Sequence, residues 1–198
     1  LYVLLVCGYF LASLLRVSES VTMPSLVLSM QMNAVQVGLI SSLFFYAYSL
    51  TQPFSGNLCD KRGPLLVCGL GLILMSTGIA IFGVAPSPMW LALGWFTAGF
   101  GAAASFSGTL VFQANAFSKE KYAGLAAITV MFGHLGGVMG VLPLGTAIDA
   151  WGRSWTFIFL ALVTFGLGSL MFISRKRDPV ALQQHMQGQM IGQIPTSF

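Results

Sequence analysis

The sequence predicts an all-α membrane protein, six transmembrane helices gathered in one bundle, and three observations predict it. Charge is scarce: only 7% of the 198 residues are Asp, Glu, Lys or Arg, against roughly 25% in a soluble domain. Apolar residues make up 56% of the chain, with a mean hydropathy of +0.84. They fall into six continuous runs, each near the roughly 20 residues a helix needs to cross a bilayer. Continuous runs favour helices over a barrel, whose wall alternates apolar and polar residues. A lipid-embedded backbone must also satisfy its own hydrogen bonds.

In order, the runs are 2–26, 35–59, 64–84, 89–114, 122–147 and 155–173. Polar, charged or proline-containing separators at 29–33, 60–63, 85–88, 117–121 and 149–154 read as short turns, which make consecutive helices antiparallel neighbours. Lys61 and Arg62, Lys119 and Lys121, and Arg175, Lys176 and Arg177 fall on one side, while the opposite loops offer only Arg153. The side rich in cations is expected to be cytoplasmic, with both chain ends there. Residues 1–174 are thus expected to form the bundle and 175–198 a cytoplasmic linker, either plainly solvated or carrying a short surface helix around 181–190. The net charge of +4 sits in these clusters rather than on a basic face, which excludes a nucleic-acid partner. Cys7, Cys59 and Cys68 lack metal-ligand or disulfide spacing and read as packing residues. No cofactor and no metal site is expected.

The turn between the second and third runs, Gly56-Asn-Leu-Cys-Asp60-Lys61-Arg62-Gly63-Pro64-Leu65, concentrates charge in a chain that has little of it. Gly56 lets a neighbouring helix approach, Asp60 can cap a helix or meet a cation, and Gly63 supplies the permissive backbone of a tight turn. Together these residues resemble the G-x-x-x-D-[RK]-x-G-[RK]-[RK] signature of the major facilitator superfamily, departing from it at Pro64 and Leu65. Gly99-Phe-Gly101-Ala-Ala-Ala104 is similar to that family's G-x-G-A-A segment, and Trp151-Gly-Arg153 with Trp155-Thr-Phe157 to its entry into helix 6. Arg16-Val-Ser-Glu19, the run Gly38 to Tyr48, and Gln52-Pro53 resemble the anion:cation symporter branch and its bacterial relatives, which move small organic anions, often driven by protons. The family usually has an arginine four residues before Gly99; here Trp95 stands there, which weighs against drug/proton antiport.

The resemblance implies a multi-pass protein of a bacterial inner membrane that moves a small-molecule substrate by alternating access between two six-helix bundles. This chain has residues for one. Leu1 is not a start methionine and the last run gives way to a linker, so the chain is expected to be an N-terminal half whose partner is a missing C-terminal half or a second copy. Asp60 is then expected to gate, meeting a helix start in the other half where the helix dipole favours a carboxylate.

Candidate site residues are polar groups that a bilayer would otherwise reject. Arg16 and Glu19, three apart on one helix face, can hold a substrate anion and a coupling proton respectively, or can form a structural ion pair. Tyr9, Ser13 and Ser20 extend the same stripe. Tyr46, Tyr48, Gln52 and Gln113 can line a cavity, or the tyrosines can sit at the membrane interface. His134 can relay protons, or be a buried histidine bonded to a helix backbone. Gly133, Gly136, Gly137 and Gly140 carry two overlapping G-x-x-x-G spacings, which mean close helix packing, and with Pro143 they permit a bend. Two other classes compete with the transporter. One is a substrate-binding subunit of a larger uptake complex. The other is an intramembrane serine protease built on Ser107 and His134, although Ser105-Phe-Ser107-Gly108 lacks the leading glycine of the rhomboid pattern.

Overall fold

The structure, a computed structural model, describes residues 1–182. Its helices are α1 (Tyr2–Met30), α2 (Ala34–Arg62), α3 (Pro64–Val84), α4 (Pro88–Ala102), α5 (Ala104–Ala116), α6 (Lys119–Met139), α7 (Leu142–Trp151) and α8 (Arg153–Ser174), then a 3-10 turn, Arg175–Arg177. Among the described residues, six helical runs are long and apolar enough to cross a membrane: α4 with α5 forms the fourth and α6 with α7 the fifth. Most helices extend past the expected limits by a few residues. Apolar runs stop at the first charge, whereas a helix stops where its hydrogen bonds do. Thus α2 continues through Asp60, Lys61 and Arg62 and ends only at Gly63, whose φ of 90° an L side chain would resist.

Local signals set several other ends. Asn33 and Gln36 form a reciprocal capping box at the start of α2, with bonds of 2.9 and 3.0 Å. Pro64 and Pro88 open α3 and α4 where no N–H is needed. The fifth run breaks at Gly140 and Val141, and Pro143 lies in the first turn of α7, so the expected bend is a short interruption of the helix.

The interior is organised around α3, which packs against α4 and α8. Glycines bring the backbones together: a Cβ on Gly71 would lie 2.6 Å from the Gly101 carbonyl oxygen, and one on Gly168 would lie 2.9 Å from that of Gly69. Such contact is how membrane helices gain packing without a hydrophobic drive between them. Leu65, Leu72, Met75, Ile79 and Phe82 of α3 are fully buried.

Both ends of α3 are capped by charges from the sixth run. At its N-terminus the buried Asp178 accepts from Leu65 N–H at 2.8 Å and from Val180 N–H at 3.1 Å. At its C-terminus Arg153 donates to the Phe82 carbonyl at 2.7 Å and the Ala85 carbonyl at 3.2 Å. An anion at the start and a cation at the end are the signs that the helix dipole favours. Arg153, the one cation expected on the far side, is therefore a cap. Residues 175–182, expected as the start of a solvated linker, fold back on the α2–α3 turn, with Asp178 and Val180 at 1% and 5% exposure. Residues 179–182 are helical. The rest of the surface helix expected around 181–190 lies outside the described residues.

Candidate substrate cavity

Arg16 is the middle of α1, and at 1.5 Å per residue it stands about 20 Å from either end of that helix. It opens with Glu19 and Ser20 onto a cavity of about 620 Å³ between α1 and α2, where Ser41 faces them from α2. The two charges do not pair. Among the described residues no carboxylate lies within ion-pair distance of Arg16, and Glu19 Oε2 instead accepts from Trp95 Nε1–H at 3.2 Å. The structural ion pair is thereby set aside: three residues apart places two side chains on one face, but their long stems turn to different neighbours.

Trp95 is fully buried, held between Phe44 (ring centroids 5.1 Å apart) and Phe82 (4.6 Å). Its ring fills the core while its N–H reaches Glu19, as an indole with one apolar body and one donor can do. It occupies the position of the absent arginine and supplies a neutral donor in its place. Phe44 also stacks on Tyr48 at 6.3 Å, and Gln52 Nε2 donates to the Tyr48 hydroxyl at 3.4 Å. The Tyr48 phenol is near enough to Arg16 and Tyr9 to interact with both electrostatically. Arg16 and Glu19 thus line the cavity, Tyr48 and Gln52 pair with one another on α2 outside its lining, and Trp95, which sequence reasoning did not assign to the site, holds Glu19.

The remaining candidates are placed elsewhere. Tyr46 is 63% exposed, because two residues along a helix turn it about 200° from Tyr48. Gln113 is fully buried; its Nε2 donates to Thr129 Oγ1 at 2.7 Å and the Leu125 carbonyl at 3.2 Å, where the Tyr2 hydroxyl also bonds. It ties α5 to α6 instead of lining the cavity. His134 is exposed, so the buried, backbone-bonded reading does not hold, and it borders a second cavity with Phe106 and Tyr122. The polar stripe of α1 also divides: Ser20 reaches the cavity, Ser13 faces the core, and Tyr9 packs on Phe106. Gly133, Gly136 and Gly140 lie against the Tyr9 ring, the Phe10 carbonyl and the Leu14 carbonyl, and a Cβ on Gly137 would lie 3.5 Å from Val17. Ser107 shares a hydrogen bond of 3.3 Å with Ser55 of α2, whereas His134 borders the Phe106 side of α5, so the protease pair is not assembled.

The motif residues sit at the end of α2. Gly56 faces Ser107, Asp60, Lys61 and Arg62 are exposed, and Gly63 lies against the Asp178 carboxylate. Burial is uneven around the bundle. Over their most apolar stretches, only 17% of the second run and 22% of the fifth are buried, against 56% of the first, third and fourth.

Residues 5–190 match the family model of the Major Facilitator Superfamily. The chain is 31% identical over 173 residues to a probable sulfoacetate transporter of Cupriavidus necator, covering 86% of this chain and 40% of that protein. It is 23% identical over 171 residues to a probable hexose phosphate transport protein of Chlamydia pneumoniae, covering 86% of this chain and 37% of that one. The fold is similar to that of a bacterial homologue of the human lysosomal transporter Spinster in an inward-facing, occupied conformation. That match has a TM-score of 0.78 and 18% identity, over 90% of this chain and 44% of the other. The chain spans about two-fifths of the length of these relatives. A helical bundle of six bilayer-length runs, a charged turn after the second of them and a family match along nearly the whole sequence together make this chain an integral, multi-pass member of the Major Facilitator Superfamily.

Proposed function

We propose that the chain is the N-terminal half of a secondary transporter that moves a small organic anion by alternating access, coupled to protons. The observation that carries the reading is Arg16: a guanidinium at mid-helix, open to a cavity and with no carboxylate within ion-pair distance among the described residues. A cation left in that position needs an anion from outside the bundle. Its planar fork suits carboxylate, sulfonate or phosphate oxygens, and sulfoacetate and hexose phosphate, in the names of two relatives, carry such groups. Glu19 is the proton carrier, positioned by Trp95 and close enough to Arg16 for anion and proton occupancy to affect one another. Tyr48 and Gln52 supply further polar contacts. The open faces of the second and fifth runs support a second six-helix bundle, the missing half or a second copy, as the partner. Asp60 gates between them from the cytoplasmic side of a bacterial inner membrane.

The test is uptake of labelled sulfoacetate and hexose phosphate into proteoliposomes holding the complete transporter. Arg16→Ala should abolish uptake while insertion is retained, and normal uptake would remove Arg16 from the site. Glu19→Gln should leave binding but uncouple transport from the proton gradient; persistent coupling would move the role to His134. Transport by this chain alone as a monomer would overturn the half-transporter reading.

A further inference from the structure

The two oxygens of Glu19 have different surroundings. Oε2 accepts from Trp95 Nε1–H at 3.2 Å. Oε1 is the oxygen left for the cavity that Glu19 lines with Arg16, Ser20 and Ser41. It is not sealed in the core, because among the described residues the buried side-chain atoms without a hydrogen-bond partner belong to Ser13, Ser105 and Gln113.

The neighbours differ in what they can do with a proton. An indole N–H donates and does not accept, and the Arg16 guanidinium is likewise all donor, so neither can receive the O–H of a neutral carboxyl. A serine hydroxyl can do both, by turning about one bond. Of the two serines on the cavity, Ser20 is committed to its own helix, donating to the Val17 carbonyl at 2.8 Å. Ser41 makes no such bond among the described residues, whereas Ser42 beside it donates to the Leu39 carbonyl at 2.9 Å. The Ser41 hydroxyl is near enough to the Glu19 carboxyl to interact with it.

These donor and acceptor roles decide where a proton on Glu19 resides. On Oε2 it would point at the indole N–H, two donors facing one another, and the buried indole would lose its acceptor. On Oε1 it leaves the Trp95 bond whole and finds an acceptor in Ser41. An unsatisfied buried donor is costly enough to favour Oε1 by about fivefold or more. The other titratable groups of the region are Arg16 on α1 and Tyr48 on α2, which interacts with Arg16; α4, which brings the indole, has none. His134 of α6 borders another cavity, and Arg153 of α8 is committed to the end of α3.

We propose that the coupling proton is carried on Oε1 of Glu19 and that Ser41 is its positioning residue, donating to the carboxylate and accepting from the acid, while Trp95 holds Oε2 in both states. Proton and anion then share one opening, the Arg16 cavity, and the contact between α1 and α4 survives each protonation. The proposal rests on the reading of Glu19 as the proton carrier.

The test is vibrational spectroscopy of the whole chain in lipid nanodiscs. Infrared difference spectra between acid and neutral pH should contain a carboxyl C=O band that Glu19→Gln removes. Hydrogen bonding lowers the frequency of that band, so Ser41→Ala should move it upward, and Ser41→Thr, which keeps the hydroxyl, should leave it in place. The indole N–H signature in ultraviolet resonance Raman, assigned by its loss in Trp95→Phe, should be the same at both pH values. A band unmoved by Ser41→Ala overturns the role of Ser41, and an indole signature that changes with pH puts the proton on Oε2 and overturns the assignment to Oε1. Proton-coupled uptake retained by Glu19→Gln in the complete transporter overturns the carrier reading and this proposal with it. Coupling lost in Glu19→Gln beside a band that ignores Ser41→Ala overturns the proposal alone.

Discussion

Replacing Asp178 with alanine should loosen the α2–α3 turn, and the size of the effect follows from what the carboxylate holds. Leu65 N–H and Val180 N–H both end on it, at 2.8 and 3.1 Å, with the side chain at 1% exposure. Alanine leaves two buried donors without an acceptor, each worth about 1–3 kcal/mol when unsatisfied, though relaxation of the exposed basic turn will recover part of this. Loss of an anion at the first turn of α3 adds about 0.3–1 kcal/mol. A total of about 2–4 kcal/mol corresponds to a melting point lower by roughly 4–16 °C for a domain of this size. Asp178→Asn keeps one oxygen acceptor and should fall about halfway between. The assay is built into the chain. Cys59 and Cys68 are buried beside the turn, at 0% and 1% exposure, while Cys7 is exposed. In a Cys7→Ser background a thiol-reactive fluorophore therefore reports opening of this region alone. If Asp178→Ala melts within about 2 °C of its parent and the two thiols stay unreactive, the cap contributes nothing and the account of α3 is wrong.

Three further outcomes follow from the same geometry. Trp95→Phe keeps the aromatic packing but removes the donor to Glu19, so a thermal double-mutant cycle with Glu19→Leu should show a coupling of about 1–2 kcal/mol, and strict additivity would refute the bond. Gly136→Ala pushes a methyl into the Phe10 carbonyl and should cost about 2 kcal/mol or more through separation of α1 and α6. Gly124→Ala, with nothing within 4 Å of its new Cβ, should stabilise the same helix by about 0.4–1 kcal/mol, and equal melting points for the two variants would sink the distinction. Gln113→Leu removes two hydrogen bonds together with a buried, unpartnered Oε1, so substrate affinity in the complete transporter should be unchanged; a loss of binding would return Gln113 to the site.

The parts of the fold legible in the sequence are those set by desolvation or by neighbours a few residues away. Hydropathy finds the six runs because each must bury its backbone in hydrocarbon, and the capping box at Asn33 and Gln36 closes over three residues. The Asp178 cap spans 113 residues and the Arg153 cap 71. Neither has a local pattern to announce it, so Arg153 read as a stray cation and Asp178 as part of a linker. Trp95 was visible only as a departure from a family pattern. That its N–H meets Glu19 depends on how Phe44 and Phe82 tilt the ring, which is a matter of packing between three helices.

The candidate site was legible to the same extent. Arg16 and Glu19 stand out because charge at mid-membrane is costly, and that cost is a property of the residue and its depth. Tyr46 and Gln113 were misplaced because polarity alone does not say which way a helix is turned. Lipid tails, a neighbouring helix and a second bundle are all apolar neighbours, so hydropathy cannot tell one face from another. The ambiguity is greatest on α2, where Tyr46, Leu50 and Phe54 are exposed at 63%, 70% and 76% while Phe44 and Ala47, on the other side, are almost fully buried. The buried side of α2 completes the bundle, with Phe44 stacked on Tyr48 and Gln52 donating to the Tyr48 hydroxyl. Its exposed side carries Tyr46, Leu50 and Phe54 and ends at Arg62, so α2 is divided between a face that packs the bundle and a face that meets whatever lies outside it.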